Sequence, residues 1–121
     1  MSEPEVQDMT VTEAEPAPST KDLLLAKIVD RTARIAVIGM GYVGLPLAVE
    51  FARTGFGVTG IDLDPAKCAE VNAGHSYIRD VSSADVSDLV QEKRLRATTD
   101  YAVLADADVV TICVPTPLTA N

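Results

Sequence analysis

The 121-residue sequence predicts an α/β fold, a parallel sheet of about four strands in the order 3-2-1-4 with flanking helices. Three observations carry that expectation. Short apolar runs at Arg34–Ile38, Gly57–Ile61, Leu95–Thr98 and Asp108–Val114 have the length and composition of buried strands. Segments with helical spacing and capping residues separate them, and such crossovers imply parallel pairing with right-handed connections. The first run also stops at a glycine cluster, Gly39-Met40-Gly41-Tyr42-Val43-Gly44, that opens directly into a helical pattern.

Taken in order, Met1–Pro18 is acidic, carries Pro4, Pro16 and Pro18, and buries too little apolar surface to order itself, so 1–18 reads as a disordered leader. A helix is expected within 19–33: Ser19 can cap it, Asp22 follows three residues later, and Leu24, Leu25 and Ile28 have helical spacing. After the first strand, Leu45–Thr54 is helical, with Leu47 and Phe51 four apart and Gly55 as its stop. Pro46 fits because first-turn amides have no intrahelical acceptor. Pro65–Asn72 forms the next helix, with Asp64 placed as its N-cap and Gly74 beyond its end. Val86–Lys93 is another helix and Tyr101–Ala105 a brief one, while Pro115 and Pro117 close the fourth strand.

Composition narrows the function. With 47% hydrophobic and 23% charged residues the chain is an ordinary globular domain, too short for two. Five acids precede the first base, Lys21, so the remainder carries 13 acids against 10 bases within a net charge of -8. That balance argues against nucleic acid, which needs clustered Lys and Arg. No stretch approaches the roughly 20 apolar residues of a membrane span, and the start lacks the basic and apolar regions of a secretory signal. Two unrelated cysteines, Cys68 and Cys113, form neither a disulfide framework nor a metal motif, in keeping with a cytoplasmic protein.

The glycine cluster has a definite chemistry between a strand and a helix. Gly39 permits the tight turn, Gly41 lets a pyrophosphate approach the backbone, and Gly44 lets the helix pack close to the strand. The amides of Tyr42 and Val43 then fall at a helix N-terminus, where free N–H groups and the macrodipole attract an anion. Asp62 ends the second strand 18 positions after Gly44, close to the spacing of about 20 at which an acid binds the adenosine ribose. A carboxylate there accepts from ribose hydroxyls and repels a 2′-phosphate, which favours NAD over NADP. These features specify the front part of a Rossmann-type dinucleotide-binding domain over 34–121. Lys67 is within reach of the adenosine side, with simple solvation as its alternative. Thr116, between two prolines at the end of the fourth strand, faces the cleft if the strand order reverses between strands one and four; otherwise it belongs to a rigid turn. His75 reads as an exposed loop residue and Cys113 as a core residue of a buried strand. Cys68 has no neighbouring base to activate it.

Three segments, Ile38-Gly39-Met40-Gly41-Tyr42-Val43-Gly44-Leu45-Pro46-Leu47-Ala48, Gly60-Ile61-Asp62-Leu63-Asp64 and Cys113-Val114-Pro115-Thr116-Pro117, together resemble the UDP-glucose/GDP-mannose dehydrogenase family. The resemblance runs from about Arg34 to Asn121. It implies that Val43 and the glycines hold the NAD pyrophosphate, that Asp62 and Lys67 serve the adenosine side, and that Thr116 contacts the cofactor. It further implies a homo-oligomeric enzyme that oxidises the C6 alcohol of a UDP-sugar to the carboxylate in two NAD-dependent steps. Gly74-His75-Ser76-Tyr77-Ile78 is more similar to UDP-N-acetylglucosamine 6-dehydrogenases than to the Pro-x-x-Glu-Pro-Gly-Leu segment of UDP-glucose members. The family's catalytic cysteine, its lysine and asparagine partners and its sugar-nucleotide domain fall beyond Asn121. The expectation is therefore a cofactor-binding fragment with no catalytic residue of its own, inactive alone. A stand-alone dinucleotide-binding module and another dehydrogenase on the same domain are the alternatives.

Overall fold

The computed structural model describes residues 16–115. Of the leader expected over 1–18, residues 1–15 lie outside the described residues, and 16–18 are exposed without regular structure. The elements run α1 (Thr20–Val29), β1 (Arg34–Ile38), α2 (Gly44–Thr54), β2 (Gly57–Ile61), α3 (Pro65–Asn72), α4 (Ser83–Gln91), β3 (Leu95–Thr98), a 3₁₀ helix (Tyr101–Asp106) and β4 (Val109–Ile112). All four strands pair in parallel in the order β3-β2-β1-β4, as the alternation of strand and helix predicts.

The caps expected from the sequence form. Ser19 accepts from the Asp22 amide, and Asp64 accepts from the Ala66 amide with Pro65 in the first turn. Helix α4 starts at Ser83, three residues before the expected Val86, because the Ser82 hydroxyl accepts from Asp85 N–H at 3.1 Å. Among the described residues all four helices end in the same two-bond closure, with a left-handed residue one position past the helix at Gly55 and two positions past it at Arg31, Gly74 and Lys93. At the end of α4, Lys93 N–H donates to Val90 and Arg94 N–H to Leu89, which stops the helix at Gln91 rather than at Lys93. Strand β4 is shorter than Asp108–Val114. The last ladder bond runs from Cys113 N–H to the Ile38 carbonyl, after which β1 turns away at Gly39.

The core lies on one face of the sheet. Ile35 and Val37 of β1, Val58 of β2 and Leu95 and Ala97 of β3 meet Leu45, Ala48, Val49 and Ala52 of α2, Val71 of α3 and Val86 and Leu89 of α4. Full burial of a side chain such as Leu45 contributes about 2 kcal/mol. Met40 is buried too, its thioether lying where a Cβ on Gly60 would have to be, so the glycine in the middle of β2 makes room for the turn above it. Asn72 extends the packing through hydrogen bonds. Its side-chain amide donates to the Ala97 carbonyl at 2.8 Å and accepts from the Ala97 amide at 2.9 Å, so it caps β3 as a neighbouring strand would.

Helix α1 departs from the apolar packing its leucines imply. None of its residues is buried, and Leu23, Leu25, Ile28 and Val29 are exposed. A polar clamp ties it to the sheet instead: the Asp108 carboxylate accepts from Lys27 Nζ at 3.0 Å and from the Arg34 amide at 2.8 Å. These two donors hold the Asp108 pKa below its ordinary value, the backbone amide contributing most. Among the described residues β4 is an edge, paired only with β1, and Val110 and Ile112 are exposed. Among the described residues no helix is long and apolar enough to cross a membrane.

Candidate cofactor site

The carboxyl ends of the strands converge on one edge. Gly39 N–H donates to Ile61 O at 2.7 Å and Asp62 N–H to Thr98 O at 3.2 Å, so the turn after β1 and the acid after β2 are held side by side. A cleft of about 650 Å³ opens there, within the usual range for a small-molecule or cofactor site. Gly39, Gly41, Tyr42, Val43, Asp62 and Lys67 all line it. The remaining expected residues fall elsewhere. Gly44 is buried beneath the cleft as the first residue of α2, and Thr116 lies outside the described residues.

The three glycines of the turn do different work. Gly39 has φ +94°, and a Cβ there would press on the Cys113 carbonyl carbon and oxygen at 2.9 Å. A Cβ on Gly44 would run into the carbonyl oxygen of Gly39. Both glycines are therefore required by the fold itself. Gly41 is not: a Cβ at that position meets nothing within 4 Å, and its φ is not left-handed. The space above Gly41 belongs to the cleft. Among the described residues no acceptor takes the amides of Gly41, Tyr42 or Val43, which leaves three donors at the entrance of α2 for an anion. Tyr42 and Val43 are exposed on the same rim. A pyrophosphate fits this cradle: it has room where the Cβ is missing and donors that no other described residue satisfies.

Asp62 is half-buried and already oriented. One carboxylate oxygen accepts from Met40 N–H at 2.8 Å and the other from Asp64 N–H at 2.9 Å. Each oxygen keeps a lone pair for a further donor, which a ribose diol supplies in pairs. Lys67 stands in the first turn of α3 and, among the described residues, brings the one positive charge to the lining. Leu63 and Tyr101 add apolar surface to the lining on the Asp62 side, suited to an aromatic base, and Ile112 lines the cleft from β4 on the other side of β1.

The sequence reading misplaced one residue and missed two. Cys113 packs against the core as expected, but it follows β4 instead of lying within a buried strand, is half-buried, and lines the cleft against Gly39. Met40 and Tyr77 carried no signal of their own. Met40 offers both of its backbone groups to the site, its amide to Asp62 and its carbonyl to the Tyr77 hydroxyl at 2.5 Å. Burial raises the Tyr77 pKa above that of a free phenol, with the Asp62 charge adding to the effect, so the hydroxyl stays a donor. His75 is exposed beside Glu70, as expected of a loop residue. Cys68 is buried and donates to the Asp62 carbonyl at 3.7 Å, and burial pushes its thiol pKa up rather than activating it.

Residues 33–121 match the UDP-glucose/GDP-mannose dehydrogenase family, NAD binding domain. The UDP-glucose 6-dehydrogenase AglM of Haloferax volcanii is 38% identical over 85 residues, which cover 70% of this chain and 20% of that protein. The UDP-N-acetyl-D-glucosamine 6-dehydrogenase of Pseudomonas aeruginosa is 36% identical, covering 70% of this chain and 19% of the relative. Among solved structures, GDP-mannose dehydrogenase from Pseudomonas aeruginosa superposes with a TM-score of 0.69 at 36% identity, over 72% of this chain and 20% of that one. The chain thus spans about one fifth of the length of the relatives it matches. The glycine turn, the acid after β2 and the matched residues agree: the chain belongs to the UDP-glucose/GDP-mannose dehydrogenase family and carries its NAD-binding domain.

Proposed function

We propose that this chain is the NAD-binding portion of a nucleotide-sugar 6-dehydrogenase. The enzyme oxidises the C6 alcohol of a UDP-sugar to the carboxylate in two NAD-dependent steps. The observation that carries the reading is the convergence of three free amides and the Asp62 carboxylate on one cleft. In it the amides of Gly41, Tyr42 and Val43 bind the pyrophosphate, and Gly39 and Gly44 shape the turn that presents them. Asp62 accepts from the adenosine ribose hydroxyls, Lys67 balances charge beside it, and Thr116 contacts the cofactor beyond Pro115. NAD, when bound, accepts the hydride from the sugar. This chain's residues bind and orient it, and none of them is assigned a catalytic role.

UDP-N-acetylglucosamine is the proposed sugar nucleotide, on the resemblance of Gly74–Ile78 to the dehydrogenases of that substrate. The 38% identity to a UDP-glucose 6-dehydrogenase supports UDP-glucose as the second reading. The enzyme is proposed to be a cytoplasmic homo-oligomer acting in polysaccharide biosynthesis, and the 121-residue chain to be inactive alone.

Two measurements test this. Calorimetric titration of the 121-residue chain gives NAD binding that exceeds NADP binding, because Asp62 repels a 2′-phosphate. Asp62→Ala weakens NAD by roughly tenfold or more, the loss expected of charge-assisted hydrogen bonds. Equal NAD affinity in Asp62→Ala removes the ribose assignment. For the sugar, NADH release by the protein that carries this domain is compared with UDP-N-acetylglucosamine and UDP-glucose. Two NADH per sugar are expected with UDP-N-acetylglucosamine; release with UDP-glucose instead supports the second reading, and no NADH release with either nucleotide overturns both.

A further inference from the structure

We propose that Tyr77 is a positioning residue for the cofactor: its hydroxyl fixes the Met40–Gly41 peptide so that the Gly41 amide is held toward the pyrophosphate. The inference rests on reading the glycine turn as the pyrophosphate seat. Its starting point is a weakness in that seat. Gly41 has no Cβ, and a Cβ there would meet nothing within 4 Å, so no side chain restrains the φ torsion by which it joins the Met40 peptide. Its own carbonyl accepts from Leu45 N–H at 3.1 Å, which leaves that φ torsion as the soft one. A free amide on a soft peptide is a poor anion ligand, because its ordering has to be offset when the ligand binds.

The structure removes the softness from the other end of the same peptide. Tyr77 Oη donates to the Met40 carbonyl at 2.5 Å. In a trans peptide the N–H points opposite to the C=O, so anchoring the Met40 oxygen on one side aims the Gly41 N–H to the other. Met40 is further pinned by its own amide, which donates to Asp62 at 2.8 Å, and by a side chain buried over Gly60. Asp62, Met40 and Tyr77 thereby form a hydrogen-bonded line from the ribose acid through the glycine turn.

Tyr77 is itself firmly presented. It lies in the loop between α3 and α4, packed against the core. The Ser76 amide before it donates to the Ser83 hydroxyl at 2.9 Å, and the Ile78 amide after it donates to the Ser76 hydroxyl at 3.1 Å. The loop reaches the glycine turn across 37 positions of sequence.

The test is Tyr77→Phe in the full 121-residue chain, which removes one oxygen and keeps the ring packing. NAD affinity is measured by calorimetry, and the backbone order of Gly41 in the ligand-free chain by ¹⁵N relaxation. Circular dichroism checks that the variant is folded. The expected result is NAD affinity weaker by roughly three- to tenfold, the equivalent of one hydrogen bond, together with a Gly41 order parameter that falls below about 0.6. Unchanged NAD affinity overturns the proposal. So does weaker affinity with Gly41 as ordered as in the parent, which would assign Tyr77 a merely structural role. A parent chain that binds no NAD fails differently, because it removes the pyrophosphate seat itself.

Discussion

Replacing Gly44 and Gly41 by alanine, one at a time, separates what the fold requires from what the cofactor requires. At Gly44 a methyl group has nowhere to go, since its position coincides with the Gly39 carbonyl oxygen and Cys113 Cβ lies at 3.5 Å. Backbone on both sides must move. Overpacking of this kind costs about 1–3 kcal/mol, and the upper end applies because the obstacle is a carbonyl and not a flexible side chain. For a domain of this size, 1 kcal/mol corresponds to roughly 4–8 °C in Tm, so Gly44→Ala is expected to melt roughly 10–20 °C below the parent. At Gly41 the same methyl touches no protein atom, and alanine narrows the unfolded ensemble. Stability is therefore unchanged or raised by about 0.4–1 kcal/mol, while NAD affinity falls by roughly tenfold or more as the methyl occupies the seat of the pyrophosphate. Thermal unfolding by circular dichroism and NAD titration by calorimetry read both quantities on each variant. A Gly41→Ala chain that melts as early as Gly44→Ala, or that binds NAD like the parent, would refute the division of labour among the glycines.

Lys93→Gly is expected to stabilise the chain by about 0.5–1 kcal/mol, because Lys93 holds φ 62° at the end of α4, where a side chain costs about 1–2 kcal/mol and glycine's unfolded-state entropy returns part of it. A Tm rise of several degrees in differential scanning calorimetry is the expected reading, and a fall contradicts it. Asp108 carries a pKa lowered from 3.8 in the folded state by the Arg34 amide and Lys27, so its stabilising effect is present above pH 3.8 and is lost as pH falls through the folded value. Asp108→Asn should therefore melt below the parent at neutral pH, with the gap closing below 3.8. A gap of constant size across that range would show that Asp108 acts through packing alone.

What was legible in the sequence was what acts through local chain geometry. Gly55 and Gly74 marked their helix ends because glycine is the residue that adopts the left-handed turn freely, and Asp64 and Ser19 marked helix starts because a short polar side chain reaches its own backbone two or three residues on. The same closure at Arg31 and Lys93 was invisible, since neither residue prefers the left-handed conformation in which the closing backbone hydrogen bonds form. The cofactor site divides along the same line. Gly39, Gly41, Gly44 and Asp62 follow from one strand–turn–helix–strand spacing, so a one-dimensional pattern records them. Tyr77 and Asn72 make their bonds across 37 and 25 positions, to backbone atoms that every residue possesses, and a backbone partner leaves no mark in the identity of the residue that provides it. Met40 shows the consequence most clearly. It sits inside the glycine pattern at a position where the pattern admits any residue, yet its amide, carbonyl and thioether each hold a different element: Asp62, Tyr77 and Gly60. The variable position of the motif is thus the joint through which the rest of the fold grips the turn. The hold on the turn that presents the three amides therefore depends on contacts that the motif does not contain.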